Sequence, residues 1–235
     1  MNVDILLYDG FDELDGIGPY EVFDYAFDYA AGAGDGEPDR AGRLRYVTLD
    51  PRETVTASHG TRVGVDAVLP APDDADAPDV IVVPGGGWNA RDETASAWAE
   101  ANRGAIPAAL DDHHAAGTRI ASVCTGTMLL SAAGITDGRR AVTHAGAIDE
   151  LRESDATVVD ARVVDDGDLL TAGGVTSGLD LALYVVEREV GEALADRSAT
   201  VSEDERRYEG AGAERDGPDS GGGGDGGDGG GDPNA

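Results

Sequence analysis

The feature that most constrains this chain is an alternation of short apolar runs with helical patterns. Val3–Tyr8 (VDILLY), Val80–Val83 (VIVV) and Thr118–Val123 suit strands buried on both faces. Arg43–Leu49 alternates like a strand, and Thr54–Ser58 with Thr61–Val65 suits a hairpin around His59-Gly60. Thr157–Val164 and Leu169–Thr171 read as a strand pair joined near Asp166-Gly167. Helical patterns lie between them: one opened by Gly18-Pro19, one from about Thr94 to Ala116, Thr125–Ala133 closed by Gly134, and Gly178–Val190. Such alternation predicts an α/β three-layer sandwich, a mostly parallel sheet with helices on both faces. Sites in such sheets lie beyond the carboxyl ends of the strands.

Composition narrows the partners. The 235 residues suit one α/β domain at 1–208, and a Gly/Asp-rich stretch at 209–235 reads as a disordered tail without core-forming residues. Net charge is -30, and every basic residue is arginine. The tail holds seven carboxylates and one arginine, so removing its -6 leaves -24 on the domain. Phosphates would be repelled, so no nucleic-acid partner is expected. Dispersed carboxylates without lysine fit a halophilic protein, since molar salt screens charge over about 3 Å; an acidic protein-binding surface is the competing reading. No apolar run reaches the ~18 residues a membrane span needs, and Met1-Asn2-Val3-Asp4 lacks the basic start of a signal peptide. One cysteine permits no internal disulfide and no multi-cysteine metal site. The expectation is a cytoplasmic protein without metal or other cofactor.

Cys124 ends the strand Thr118–Val123, and small residues then start a helix. This strand–turn–helix arrangement exposes a side chain above the sheet, as it does for the serine of α/β-hydrolases. A lone cysteine is often an inert buried hydrophobe; on this turn it is expected to be a nucleophile, its pKa lowered by the helix N-terminus. Asp15 follows the first strand's turn and is the leading proton carrier, although its position alone favours a capping or loop role. Pro84-Gly85-Gly86-Gly87 ends VIVV; its N–H groups, with that of Thr125, could bind a developing anion or simply form a turn. His144 ends another short strand and is expected near the pocket. His113 and His114 read as surface residues, and His59 as a turn residue.

LDGIGPYEVF, SVCTGTMLLSAAGITDGRRAVTH and LLTAGGVTSGLDLAL, with the strand–PGG element, resemble the ThiJ/PfpI superfamily over about residues 3–192. The resemblance implies the class I glutamine amidotransferase-like (flavodoxin-like) fold. The branch it resembles contains isonitrile hydratases and the sensing domains of AraC-type regulators. It implies Cys124 as nucleophile, Asp15 in place of the superfamily's usual glutamate, Thr125 as a functional threonine, Gly86 and Thr125 as oxyanion donors, and His144 nearby. It further implies a homodimer acting on a small molecule. The implied activity is attack of the Cys124 thiolate on an electrophilic carbon while Asp15 shuttles protons, as in an isonitrile hydratase or a related hydrolase or lyase. A non-catalytic ligand sensor, or a glyoxalase/deglycase-type stress protein with a redox-sensitive cysteine, are the alternatives. Two departures stand out: Thr125 replaces the histidine that follows the cysteine in the peptidases, and Ala145 stands where the branch often has tryptophan.

Overall fold

A computed structural model describes residues 1–32 and 42–208. The expected tail, and nearly all of the loop expected at 32–41, lie outside those residues. In chain order the elements are β1 (Asn2–Leu6), α1 (Glu13–Ala31), β2 (Arg43–Thr48), β3 (Thr54–Thr56), β4 (Arg62–Gly64), β5 (Ala67–Val68) and β6 (Val80–Val83). There follow α2 (Ala97–Arg103), α3 (Ala105–Ala115), β7 (Arg119–Val123), α4 (Gly126–Ala132) and β8 (Arg140–Ala141). The last are α5 (Ile148–Arg152), β9 (Thr157–Val158), β10 (Val163–Asp165), β11 (Leu169–Ala172), α6 (Ser177–Glu189) and α7 (Glu192–Val201).

Seven strands form the main sheet in the order β10-β11-β7-β6-β1-β2-β5. Every pairing is parallel except β10 with β11 at the edge, which is antiparallel. The chain runs outward from β1 to β2 and β5, then returns to β6 on the other side of β1. That reversal makes the β1/β6 junction the switch point, where the following loops diverge and leave a crevice. β6 is buried throughout, as its unbroken VIVV run requires. One group of helices, α1, α6 and α7, packs together, as does a second, α2, α3 and α4.

Several elements depart from the sequence reading. α1 begins at Glu13, capped by Asp12, whose carboxylate accepts from the Leu14 N–H at 3.3 Å. Pro19 is therefore inside the helix, where it deletes the N–H that would bond the Asp15 carbonyl. The long helix expected over 94–116 is two helices, because Gly104 adopts φ 78° between them. His113 is buried, with Nε2 3.0 Å from the Pro70 carbonyl, so it is not a surface residue. Thr157–Val158 pairs with β8 rather than extending β10.

Candidate active site

Cys124 sits on the turn between β7 and α4 with φ 57°. The left-handed region costs a non-glycine residue about 1–2 kcal/mol, so the surroundings must hold it there. They do so through the backbone. The Cys124 N–H donates to the Ala172 carbonyl of β11 at 3.1 Å, and the Thr143 hydroxyl donates to the Cys124 carbonyl at 2.9 Å. Beneath the turn, Ser122 and Thr127 hydroxyls lie 2.8 Å apart, and Thr127 donates to the Val142 carbonyl. This buried ladder ties the elbow to neighbouring strands, and its polar atoms have partners.

The Pro84–Gly87 loop presses directly on that turn. A Cβ on Gly85 would come within 2.4 Å of the Thr125 nitrogen, and one on Gly126 within 2.1 Å of the Val83 carbonyl oxygen. Only glycine allows this approach. Its result is that Asp15, from the first turn of α1, meets the loop and the thiol together. The Gly85 N–H donates to Asp15 Oδ2 at 3.0 Å, while Oδ1 is buried without a regular hydrogen-bond partner.

Asp15 is completely buried, and its pKa is raised to about 8. Burial is the main cause, the Asp12 charge adds to it, and the Gly85 N–H and the Cys124 thiol act in the opposite direction. The Cys124 thiol is also pushed well up, first by burial and then by Asp15. The expected low-pKa thiolate is therefore corrected: desolvation and a neighbouring carboxyl outweigh the N-terminus of a seven-residue helix. Both shifts favour the protonated forms, so burial favours a proton on sulfur and, below about pH 8, one on the carboxyl. Tyr8 lies beside it, its hydroxyl donating to the Pro84 carbonyl at 2.8 Å, and its pKa is raised by burial and then by Asp15 and Cys124.

Two of the expected anion-binding N–H groups are engaged: Gly85 serves Asp15, and the Gly86 N–H donates to Thr125 Oγ1 at 2.9 Å. The Thr125 N–H acts on the Cys124 thiol, favouring its ionised form. Because Thr125 Oγ1 already accepts, its own O–H remains to donate. His144 is brought to the pocket as expected. Its Nδ1 lies 3.0 Å from the Gly146 N–H and accepts from it, so in the neutral ring Nε2 carries the hydrogen. His59, expected as a turn residue, lies on a turn, with its Nδ1 2.7 Å from Glu13 Oε2.

A small cavity of about 200 Å³ opens above Cys124 and Thr125, walled by Asp12, Trp88, Asn89, His144 and Val175. Sequence reasoning missed Asp12, Trp88, Asn89 and Val175. Of these Asp12 carries the clearest signal, since it lies three residues before Asp15 at a helix start. Trp88 is fixed by a bond from its Nε1 to Glu150 at 3.1 Å. Among the described residues, no cluster of three His, Cys, Asp or Glu side chains could hold a metal ion. No described helix is long and apolar enough to cross a membrane.

Known proteins resemble this chain in both sequence and fold. The chain matches the family described as "DJ-1/PfpI family" over residues 1–188. It is 32% identical over 194 residues to the isonitrile hydratase of Pseudomonas putida, spanning 81% of this chain and 73% of that protein. It is 31% identical over 151 residues to a deglycase of Pyrococcus horikoshii, spanning 63% of this chain and 81% of the relative. Among solved structures, a THiJ/PfpI family protein from Pseudomonas syringae superposes with a TM-score of 0.71 at 27% identity, over 86% of this chain and 74% of the other.

Proposed function

We propose that this chain, which belongs to the DJ-1/PfpI family, hydrates a small isonitrile to an N-substituted formamide, with Cys124 as nucleophile and Asp15 as proton carrier. The observation that carries the reading is the burial of Asp15 against the Gly85 N–H and the Cys124 thiol. Asp15 has a pKa near 8 and is an acid at neutral pH, placed against a protonated thiol. An isonitrile carbon must receive a proton and a nucleophile at the same atom. Asp15 gives its proton to that carbon as Sγ bonds to it, and the thiol proton returns to Asp15. The S–H bond has then added across the carbon, leaving a thioimidate, R–N=CH–S–Cys124.

Water next adds to the same carbon while the nitrogen takes a proton. The C–S bond breaks, sulfur recovers its proton, and R–NH–CHO leaves. No step is a redox step. Asp15 serves as acid and then as base, a role its raised pKa suits. The Thr125 O–H is placed to donate to the substrate nitrogen or to orient the water.

The engaged N–H groups support this reading over amide hydrolysis. Acyl transfer builds negative charge on oxygen and depends on vacant preorganised donors. Here the Gly85 and Gly86 N–H groups are committed to Asp15 and Thr125 Oγ1. Addition to an isonitrile develops no oxyanion in its first step. The likeness to the Pseudomonas putida isonitrile hydratase supports the same choice.

The test uses the full chain in molar salt with a simple alkyl isonitrile, following formamide appearance by NMR. Turnover is expected, abolished in Cys124→Ala and reduced at least about 100-fold in Asp15→Asn. Absence of formamide with the wild type, or turnover that survives Cys124→Ala, refutes the assignment. An amide and an α-oxoaldehyde run in parallel measure the competing chemistries.

A further inference from the structure

We propose that the cavity above Cys124 selects substrates carrying a cationic substituent, such as an ammonium group, and that Asp12 is the residue that sets this preference. The inference deepens the reading above and rests on Cys124 being the reactive centre. Asp12 lines the same small cavity as Cys124, Thr125 and Trp88, and no arginine lines it. Its charge is felt at the reactive pair, since it raises the pKa of both Asp15 and Cys124. Asp15 is buried and does not line the cavity, whereas Asp12, half-buried, is the carboxylate residue in its wall.

Neighbouring charges leave most of it: His59, whose pKa is raised by Glu13 and then by Asp12, is paired with Glu13 at 2.7 Å. Glu13 is acidic as well, with its pKa lowered to about 2 although burial alone would raise it, because it accepts hydrogen bonds from the His59 side chain and nearby backbone. Arg91, near the cavity wall, is paired with Glu150 at 2.9 Å. The positive end of α1 offsets about half a charge next to Asp12, and the remainder is negative. Trp88 adds a second, independent feature. An indole in the wall, only 8% exposed and held by its Nε1 bond to Glu150, is the aromatic surface that best accommodates a cation.

A carboxylate beside an indole in a small cavity discriminates by charge more than by shape. A full charge about 4 Å from a bound substituent changes binding about fivefold at a water-like dielectric, and more where the cavity excludes water. The overall charge of -30 also attracts cations, but molar salt screens that contribution beyond about 3 Å. The local contribution can therefore be read separately.

Cys124 is the only cysteine, so charge-selective thiol reagents report on this cavity directly and do not require isonitrile turnover. The experiment measures modification of the full chain in 1 M NaCl by two methanethiosulfonates, one bearing a trimethylammonium group and one a sulfonate. Each rate is divided by that of a free small thiol. The cationic reagent is expected to react faster with the wild type, and Asp12→Asn to reduce the cation-to-anion ratio about 25-fold, as an about fivefold loss for the cation and an about fivefold gain for the anion. Asparagine keeps the helix cap, and any change in the thiol pKa affects both reagents equally and leaves the ratio. Asp111→Asn, on the exposed side of α3, is expected to leave the ratio unchanged. A ratio of one in the wild type, an unchanged ratio in Asp12→Asn, or an equal fall in Asp111→Asn overturns the inference. Absence of isonitrile turnover would refute the proposed reaction while leaving this measurement standing.

Discussion

Replacing Asp15 with asparagine should remove a loss of stability that the wild type suffers as pH rises, because the native state keeps a proton on this carboxyl that the unfolded chain releases. The folded pKa is about 8 and the ordinary value 3.8. Between those values the native state binds more protons than the unfolded state, so stability falls with rising pH, by up to about 1.4 kcal/mol per unit. The fall starts near the unfolded value and levels off above the folded one. Across about four units it amounts to on the order of 5 kcal/mol. The asparagine side chain has no proton to release and keeps an acceptor for the Gly85 N–H, so the variant lacks this loss. Titrations that do not feel Asp15 cancel in the difference between the two proteins, the lowered His113 near neutrality and the lowered Glu13, Asp76, Asp92 and Asp168 in acid, while Cys124 and Tyr8, which do feel it, have raised values and titrate at the alkaline end of the range or above it. Urea unfolding of both proteins at each pH from 5 to 9, in one fixed salt concentration, reads the difference. It should grow steadily in favour of the variant up to about pH 8 and then flatten. Parallel curves would show that Asp15 ionises as an ordinary carboxyl, and that burial does not hold its proton.

Other outcomes follow from the same geometry. Gly126→Ala forces a Cβ onto the Val83 carbonyl at 2.1 Å and should cost about 2 kcal/mol or more, measured as a lowered urea midpoint with unchanged slope. Thr143→Val leaves the buried Cys124 carbonyl without its donor and should destabilise by about 1–3 kcal/mol; an unchanged midpoint would mean the hydroxyl is not what holds the elbow. Cys124 alkylation should show an apparent pKa above that of a free thiol, and Asp15→Asn should lower it by removing the like charge beside the sulfur. An alkylation midpoint at or below the free-thiol value would contradict the buried pair.

The strands of the sheet centre are legible because burial on both faces demands unbroken apolar runs. VIVV reads as β6 by that rule, and the positions of Asp15, Gly85 and Cys124 at strand ends follow from topology alone. The start of α1 is harder to read, because Pro19 has the preferences of a first-turn residue, whereas Asp12, six residues before the expected opening at Gly18, supplies the cap. α7 escapes the sequence reading: the apolar residues of EALADRSATV are mostly alanine, and only Ala195, Ser198 and Ala199 are buried. For His113 a signal exists in the sequence, since Ile106, Leu110 and His113 share one helical face and all are buried. The protonation of the active pair is not legible. It depends on how completely the Pro84–Gly87 loop and α1 exclude water from Asp15, which local spacing does not encode.

Asp15 entering the reaction as an acid beside a neutral thiol is the step on which the proposed chemistry turns. The pH dependence of kcat/KM for an alkyl isonitrile tests it most directly, with formamide release as the readout. A plateau through neutral pH is expected, then a fall as pH rises through about 8, where Asp15 loses its proton. A rate that instead climbs through that region to an alkaline plateau would mean that a free thiolate, and not the protonated pair, does the chemistry.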